Sequence, residues 1–438
     1  GEALRALWQG RGAVDIAALL DSVEDGARQA AVFRTLPKDL AADVFSYLPG
    51  PTQATLARSF ADGELQQIFD ALHLDDAADF LEELPANLVT RILRSASPQR
   101  RMAVNALLRY PADSAGSVMT PEFVSLRPGD TVRQALDTIR RTGIHKETVY
   151  TCYVLEHRQL LGVVSAKDLL TAAEDAAVAD LMVTDVVSVG TLTDREEAAR
   201  LLAKYDLLAL PVLDGEERMV GIVTVDDAMD VLQEEVTEDI EKMAAILPGD
   251  KPYLKTGVFE TWRARTPWLM MLMLSATFTG MILTHFENSL AAVPILTSYI
   301  PMLSGTGGNS GTQASTAVIR ALSLGEVRFS DLLRVVWKEC RVALICGVCL
   351  AAANFVKMMV VDCWLLANPT VTPAVAAVVC CTLVGTVACA KLVGASLPIL
   401  AEKIGFDPAV MASPFISTIV DALSLLIYFR FATWILGV

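Results

Sequence analysis

The pattern of hydrophobic and polar positions divides the chain into a soluble part and a membrane part. Up to about Tyr110, apolar residues recur at i, i+3 and i+4 and prolines follow the ends of the segments, which predicts an array of short helices. From Thr266 the pattern changes to long apolar runs, each able to cross a ~30 Å hydrocarbon layer with ~20 residues. A single soluble domain is therefore excluded.

Five apolar runs are long enough to span a membrane. They cover about residues 266–285, 291–320, 340–361, 373–400 and 412–436. Basic residues precede the first run and lie between the second and third and between the fourth and fifth, whereas 284–293 and 362–372 contain none. Because Lys and Arg are enriched in cytosolic loops, we expect the N-terminus in the cytosol and the C-terminus outside. No secretory signal opens the chain, which agrees with a cytosolic soluble part.

The charge of the soluble part narrows the choice of partners. The 438 residues are 53% hydrophobic and carry a formal net charge of -15, with a mean hydropathy of +0.43. Of the 51 acidic residues, 43 precede Trp262, against 25 of the 36 basic ones. So acidic a surface argues against nucleic acid as a partner, because phosphate binding needs a basic face, and it favours cations. The eight cysteines lack metal-ligand spacing, and we interpret them as reduced, small hydrophobic residues.

Enzymatic chemistry has little support in the sequence. Four histidines, His73, His145, His157 and His285, are scattered, and no Ser/Cys/His constellation or two-metal carboxylate site accompanies them. No Gly-x-x-x-x-Gly-Lys-Ser/Thr loop is present, which argues against ATP hydrolysis as a driving force. We therefore predict that the protein is not an enzyme.

The helical array contains an internal repeat with paired carboxylates. The segment from Leu36 to Pro49 returns 36 residues later between Leu72 and Pro85. Both copies place Asp at their fourth and eighth positions, one helical turn apart on one face. These residues are Asp39 and Asp43 in the first copy and Asp75 and Asp79 in the second.

A second repeat follows the helical array. Val118-Met-Thr-Pro corresponds to Leu181-Met-Val-Thr, and each copy closes with a strand, a turn and a helix, at Leu161-Gly-Val-Val-Ser and Val220-Gly-Ile-Val-Thr. This pattern resembles a tandem pair of CBS domains. The resemblance implies a module that binds adenine nucleotides or cations and reports them to an attached domain; the alternative is a packing unit that binds nothing.

Two motifs interrupt the apolar runs. Between Pro301 and Gln313, four glycines and several polar residues predict either a broken helix beside a water-filled cavity or close packing of small residues between helices. Asp421 lies well inside the last run, where a carboxylate costs ~2.5 kcal/mol or more and should face a pathway or a partner.

Lys391, also within a run, could be the partner of Asp421. We favour a second interpretation, in which it snorkels or packs between helices. Asp407, before Pro408, is also placed to cap the last helix.

Together these residues resemble the MgtE family of magnesium channels, over essentially the whole chain. The specific part is Gly-Thr-Gly-Gly-Asn-Ser-Gly together with Pro-Phe-Ile-Ser-Thr-Ile-Val-Asp. The resemblance implies a multi-domain fold: an all-α repeat domain (1–112), α/β tandem CBS domains (113–236), a connecting helix (237–262) and a transmembrane domain of five helices (263–438). It also implies a homodimer in the bacterial inner membrane, with the pore between subunits, Mg2+ as substrate and regulator, and the CBS pair as the place where ATP would bind.

The family motifs also imply individual site residues. Asp421 would be the pore carboxylate, and Gly308, Asn309 and Thr312 would line the path. Two implied Mg2+-sensing positions, Gly116 and Ala203, would act through their backbone carbonyls. The others would act through side-chain carboxylates: Asp43, Asp75, Asp79, Asp194, Glu196, Asp206, Asp227, Asp230, Glu235, Glu238, Asp239 and Asp407. Thr312 stands where we expect a second amide, and Lys391 is outside the family pattern.

The stretch from Asp226 to Asp239 carries like charges at i and i+4, which destabilise a helix unless something neutralises them. Bound divalent cations would do so, whereas an acidic helix face is more commonly just solvated surface. Two alternatives to a Mg2+ channel remain from the sequence: a CBS-regulated carrier of another divalent cation such as Co2+ or Mn2+, and a membrane-anchored sensor that conducts nothing.

Overall fold

The computed structural model describes residues 8, 10–23, 25–82, 84–249, 251, 253–411 and 413–437. The side chains of Lys38, Asp39 and Ser413 lie outside this description, so the first carboxylate of the repeat is not placed. The chain forms two compact units, Gly1–Glu235 and Val236–Val438.

The first unit begins with the predicted array of short helices. They are α1 (Ala13–Asp21), α2 (Gly26–Phe33), α3 (Lys38–Ser46), α4 (Gly50–Ser59), α5 (Asp62–Ala71), α6 (Leu74–Glu82), α7 (Ala86–Ser95) and α8 (Pro98–Leu107). The two copies of the repeat form α3 and α6, whose bounds are also 36 residues apart. Their buried faces meet through Phe45 and Phe80, whose rings pack edge to face at 4.9 Å.

Two equivalent three-stranded sheets follow, as the second repeat predicts. The first contains β1 (Val124–Leu126), β2 (Thr151–Glu156) and β3 (Gln159–Ser165), and the second contains β4 (Val189–Gly190), β5 (Ala209–Leu213) and β6 (Met219–Thr224). In each sheet the first strand is parallel to the second and the third is antiparallel. The accompanying helices are α9 (Val132–Thr142), α10 (Ala166–Thr171), α11 (Val178–Leu181), α12 (Arg195–Lys204) and α13 (Val225–Met243).

The repeat motifs hold the two copies together. Thr120 exchanges two backbone hydrogen bonds with Ile222, at 2.8 and 2.9 Å, and Val163 does the same with Val183, at 2.9 and 2.8 Å. The Met-containing segment of each copy thus pairs through backbone hydrogen bonds with the last strand of the other copy. A glycine is required at the crossing, because a Cβ on Gly162 would lie 2.7 Å from the backbone oxygen of Val183.

This crossing predicts a sensitive position. Gly162→Ala should destabilise the first unit by ~1–3 kcal/mol, since the opposing atom is backbone and cannot rotate away. Gly129→Ala is the control, because a Cβ there meets nothing within 4 Å. Thermal unfolding of the two variants measures the difference, and equal melting midpoints would contradict the assigned crossing.

The second unit contains five long helices among its described residues. They are α14 (Val258–His285), α16 (Ile300–Ser323), α17 (Leu332–Lys357), α18 (Pro373–Lys403) and α19 (Ser413–Leu436), and the short α15 (Glu287–Ala292) precedes α16. Four are long and apolar enough to cross a membrane; α16 has the length, but its glycines and polar residues lower its hydropathy. The fold class is therefore the predicted one: helical domain, CBS pair and a helical region of apolar helices.

The helix bounds differ from the expectations at two places. The second apolar run was expected from 291, but 3-10 turns over Pro294–Tyr299 delay α16 to Ile300. The segment 237–262 is also divided between two helices, because α13 ends at Met243 and α14 begins at Val258.

The expected break within the glycine-rich motif is wrong. Residues Ile300–Ser323 form one continuous α-helix, and its glycines serve close packing, the alternative interpretation. A Cβ on Gly307 would lie 2.6 Å from Thr386 of α18 and 2.8 Å from Val420 of α19. A Cβ on Gly311 would lie 2.7 Å from Ile416. Glycine therefore brings α16 against both neighbours along one face.

Candidate ion pathway and cation-binding clusters

Asp421 lies within α19, one of the helices that are long and apolar enough to cross a membrane. It is ~12 Å from the start of α19 at Ser413, taking ~1.5 Å per residue. Its carboxylate accepts a hydrogen bond from the Ser304 hydroxyl of α16, and the residue is only half-buried. One helical turn away on the same face, Ser417 packs against Gly308, at 3.3 Å from the position of a Cβ there. The glycine-rich helix thus approaches α19 closely enough for Ser304 to reach the acid.

The opposite face of α16 is polar and accessible. Thr306, Asn309, Gln313 and Thr316 recur at helical spacing and are exposed or half-buried; we call them the polar stripe. Thr312 is half-buried beside them, whereas Gly308 lies in the packed face. Amide and hydroxyl groups at membrane depth need a polar surrounding, so this stripe must face water or protein instead of lipid.

Lys391 is not the partner of Asp421. Its side chain is buried on α18, and its Nζ lies 3.8 Å from a carboxylate oxygen of Glu339 on α17. Snorkelling is therefore wrong and packing between helices is confirmed. Within the described ranges, no ion pair reaches Asp421. The sequence did not single out Glu339, although an acidic residue near the start of an apolar run is a detectable signal.

In the first unit, carboxylates from α6 and α13 converge. Asp75 is buried, and loss of hydration, followed by the charges of Asp227 and Glu147, raises its pKa well above the usual value. Burial and the neighbouring Asp226 charge raise the pKa of Asp227 to about 7, against a hydrogen bond from Thr224 that lowers it.

Asp79 and Asp76 extend this cluster. The Asp79 side chain reaches solvent, but the protein around it removes part of its hydration, and with the charge of Asp227 this raises its pKa to about 7. Burial raises the pKa of Asp76 to about 6. Asp43 is exposed on α3. The structure therefore brings Asp75, Asp79 and Asp227 together, as a pair of repeat carboxylates facing a residue of the CBS pair.

The predicted positions around α12 fall at its two ends. Gly116 donates its backbone N–H to the Thr191 carbonyl oxygen at 3.0 Å, and two residues earlier Ser114 forms a backbone bridge with Asp194. The Asp194 side chain caps α12 by accepting from the Glu196 N–H at 2.8 Å. Ala203 and Asp206 are exposed at the other end, ~15 Å away at ~1.5 Å per residue. They do not form one site.

Basic side chains accompany part of the acidic stretch on α13. Arg195 contacts Glu234 at 3.0 Å and Glu235 at 3.1 Å. The Asp230 side chain reaches solvent, but the surrounding protein removes part of its hydration, and with the charge of Asp226 this raises its pKa. Neutralisation of this helix is thus supplied partly by an arginine that the spacing argument did not identify.

Within the second unit, a lysine neutralises acidic residues as Arg195 does in the first unit. Lys242 Nζ lies 2.6 Å from Glu238 and 2.7 Å from Asp407. Asp239 accepts a hydrogen bond from the Ser323 hydroxyl at 3.3 Å, and burial, with the Asp407 charge, raises its pKa. Asp407 also caps the 3-10 turn Pro408–Met411 by accepting from the Ala409 N–H at 2.8 Å. The last helix begins at Ser413, so Asp407 caps the turn before that helix and not the helix itself.

The residues present suit a divalent cation at two places. Asp75, Asp79 and Asp227 offer only oxygen atoms and are destabilised by their own charges, which fits a hard ion such as Mg2+. Glu238, Asp239 and Asp407 also offer oxygen, but Lys242 holds two of them.

These features define a multi-pass membrane protein with a CBS pair, a helical repeat domain and several acidic clusters. A family model described as "Divalent cation transporter" (MgtE) matches residues 300–431, one described as "MgtE intracellular N domain" matches 12–113, and the CBS domain matches 115–175 and 178–234. The chain is 40% identical over 427 residues to "Magnesium transporter MgtE" of Thermus thermophilus, covering 96% of this chain and 92% of that protein. It belongs to the MgtE family.

Further relatives agree with this assignment. The protein of the same description from Bacillus subtilis is 37% identical over 386 residues, covering 88% of this chain and 81% of the relative. Among solved structures, the cytosolic domain of the Mg2+ channel MgtE in complex with ATP matches with a TM-score of 0.50 and 42% identity, over 52% of this chain and 94% of that one. Similarity to inosine-5'-monophosphate dehydrogenase of Korarchaeum cryptofilum covers only 26% of this chain.

The carboxylate cluster predicts a pH dependence. Because the folded pKa of Asp227 is raised to about 7 above the ordinary 3.8, its ionisation destabilises the fold, and stability is lost as pH rises from about 4 to 7. With a chelator present, Asp227→Asn should raise the melting midpoint by about 2–4 °C at pH 7.5 and have no effect near pH 4.

Asp185→Asn, at an exposed position, is the control for this measurement. Differential scanning fluorimetry across the pH range gives the comparison. If the melting midpoints of Asp227→Asn and wild type coincide at every pH, ionisation of Asp227 does not destabilise the fold.

Proposed function

We propose that this protein is a Mg2+-selective channel for magnesium uptake, closed by Mg2+ binding to its acidic cytosolic clusters. The observation that carries the proposal is Asp421, a carboxylate at membrane depth that contacts Ser304 and is not paired with Lys391. A non-conducting sensor would be expected to neutralise that acid within the protein. The family membership and the magnesium transporters related to this chain support the choice of ion.

The chemistry of Mg2+ suits a single acidic position. Mg2+ takes oxygen ligands in near-octahedral geometry and gives up its waters reluctantly. One Asp421 from each subunit would hold a hydrated ion loosely enough to release it, as conduction requires. Gly308, Asn309 and Thr312 remain the proposed lining; of these, Asn309 has the exposed position that the role needs, whereas Gly308 acts through its close approach to Ser417.

A homodimer would enclose this path. The polar stripe is exposed on the face of α16 opposite the one that carries Ser304, so Asp421 and the stripe line one path only where two copies bring these faces together. Basic residues in the loops on one side of the membrane, and none in the loops on the other, support a cytosolic N-terminus and an outside C-terminus in a bacterial inner membrane. No enzymatic step is needed, because the electrochemical gradient supplies the driving force.

Regulation by Mg2+ follows from charge repulsion. Carboxylates that lie close together repel one another when no cation is bound. A divalent cation neutralises this repulsion, so its binding increases the population of the conformation in which the carboxylates are close. We propose Asp43, Asp75, Asp79, Gly116, Asp194, Glu196, Ala203, Asp206, Asp227, Asp230, Glu235, Glu238, Asp239 and Asp407 as the contributing positions. Those held by Arg195 and Lys242 would bind an ion only after these basic groups shift.

ATP is proposed as a ligand of the CBS pair near Asp206, and not as an energy source. The solved MgtE cytosolic domain was crystallised with ATP, and it is 42% identical to this chain. Asp206 is exposed, as a nucleotide contact requires.

The transport proposal predicts a selective loss of flux. Asp421→Asn keeps the shape of the side chain but removes its charge, so Mg2+ uptake into proteoliposomes should fall at least about tenfold, because the cation loses the carboxylate proposed to attract it. Glu402→Gln, at an exposed position near the end of α18, should leave uptake unchanged. If Asp421→Asn takes up Mg2+ at the wild-type rate, the channel proposal is wrong.

The regulatory proposal predicts protection of the segment between α13 and α14. Leu254 is 94% exposed there and is open to chymotrypsin. Millimolar Mg2+ should slow cleavage within 234–256, whereas Na+ at matched ionic strength should not, because only a divalent ion neutralises paired carboxylates.

Cleavage at the exposed Leu170 of the first CBS copy, which is not a proposed Mg2+ position, provides an internal reference in the same sample. If Na+ protects the segment as well as Mg2+, or if both sites slow equally, specific Mg2+ sensing is not responsible.

A further inference from the structure

A histidine and two glutamates outside the proposed Mg2+ positions meet in the first unit. His73 Nδ1 lies 2.8 Å from Glu122 Oε2 and 2.9 Å from Glu147 Oε2. The three possible ligand atoms all lie within 4.8 Å of one another. We call these residues the His73 triad.

The backbone fixes the two glutamates side by side. The Glu147 N–H donates to the carbonyl oxygen of Glu122 at 2.9 Å, so the segment after α9 lies against the segment before β1. His73 comes from the turn between α5 and α6. The triad therefore links the helical domain to the first CBS copy within one compact unit.

The hydrogen bonding of the triad is incomplete without a ligand. A single Nδ1–H can donate one well-directed hydrogen bond, and Glu122 receives it. The Glu147 Oε2 atom is buried and lies 2.9 Å from the same nitrogen, so it forms an ion pair with the imidazole but shares the donor that Glu122 already receives. Two carboxylate oxygens on one donor keep unused acceptor capacity, which a bound metal ion would fill.

The surrounding charges favour a cation. The carboxylate of Asp76 interacts with all three members of the triad. Arg100 lies near Glu122, but its guanidinium donates to the Leu72 carbonyl oxygen at 2.5 Å and pairs with Asp70 at 4.0 Å. Even with His73 protonated, the three carboxylates of Glu122, Glu147 and Asp76 leave a net negative charge that a cation would neutralise.

We propose that His73, Glu122 and Glu147 bind a divalent transition-metal ion of the zinc class. One imidazole nitrogen and two carboxylate oxygens form a borderline ligand set that suits Zn2+ or Mn2+, whereas Mg2+ prefers oxygen alone. Tetrahedral Zn2+ with bonds of ~2.1 Å needs ligand atoms about 3.4 Å apart, so the triad has to open by ~0.5 Å.

Partial exposure of the triad supports the same inference. The His73 side chain is 45% exposed and the two glutamates about half as much, so an ion can enter and keep a water molecule as its fourth ligand. The ion displaces the imidazole proton and takes one bond from each side chain. It then joins α6 to the CBS pair, whether or not the protein conducts Mg2+.

The test counts zinc on the full-length protein in detergent. Millimolar Mg2+ occupies the oxygen-only positions, a chelator buffer holds free Zn2+ in the micromolar range, and bound zinc is measured by elemental analysis after equilibrium dialysis. Wild type should retain one more zinc per chain than His73→Gln, with at least about a tenfold loss of affinity in the variant.

Two further variants keep the result interpretable. Glu147→Gln retains the volume of the side chain and should lose the same zinc. His157→Asn is the control, because His157 lies in a left-handed turn away from the triad and Asn tolerates that conformation. It should bind zinc as wild type does.

X-ray absorption at the zinc edge identifies the ligands. One imidazole and two carboxylates are expected, and sulfur ligation would assign the zinc to the cysteines instead. Equal zinc content in wild type and His73→Gln, or complete displacement by millimolar Mg2+, would overturn the proposal. Neither outcome bears on the flux measurement, so failure here leaves the channel proposal standing.

Discussion

The structure depends most on one constraint: a carboxylate at membrane depth must find water, a cation or a counter-ion. The chain supplies a buried lysine in the same bundle, but Lys391 lies against Glu339, so Asp421 remains with Ser304. The glycine face of α16 makes this contact possible by bringing the helix against α18 and α19. The opposite face presents the polar stripe. One side of α16 therefore packs against its neighbouring helices, and the other side exposes the side-chain oxygen atoms of the polar stripe.

The same electrostatic argument separates the acidic clusters of the soluble part into two kinds. Asp75 and Asp227 face each other without a basic partner in the part of the chain that the structure describes, and their pKa values rise. Glu235 and Glu238 instead contact Arg195 and Lys242. A divalent cation relieves repulsion in the first kind, but it must compete with a tethered cation in the second. The first kind can therefore accept a cation without displacing a basic side chain, whereas the second cannot.

Much of the fold could be predicted from repeats and periodicity. The 36-residue repeat forms equivalent helices, and the duplicated strand motifs form equivalent sheets, because each motif contains its own pattern of burial. The continuous helix through Gly307 and Gly311 could not be predicted, since glycines are equally compatible with a break and with close packing. Neither could the pairing of Lys391 with Glu339 or of Lys242 with Asp407, because those contacts join residues distant in sequence. The His73 triad was missed for the same reason.

The central claim is that the polar stripe and Asp421 contact water and ions. Cysteine accessibility in native membranes tests it most directly, with Asn309→Cys on the stripe and Met273→Cys on an exposed apolar position of α14, both in a background whose eight cysteines are replaced. A membrane-impermeant thiol reagent should modify the first variant, more slowly when Mg2+ is present, and leave the second unmodified. Absence of reaction at position 309 under every condition would contradict an aqueous path.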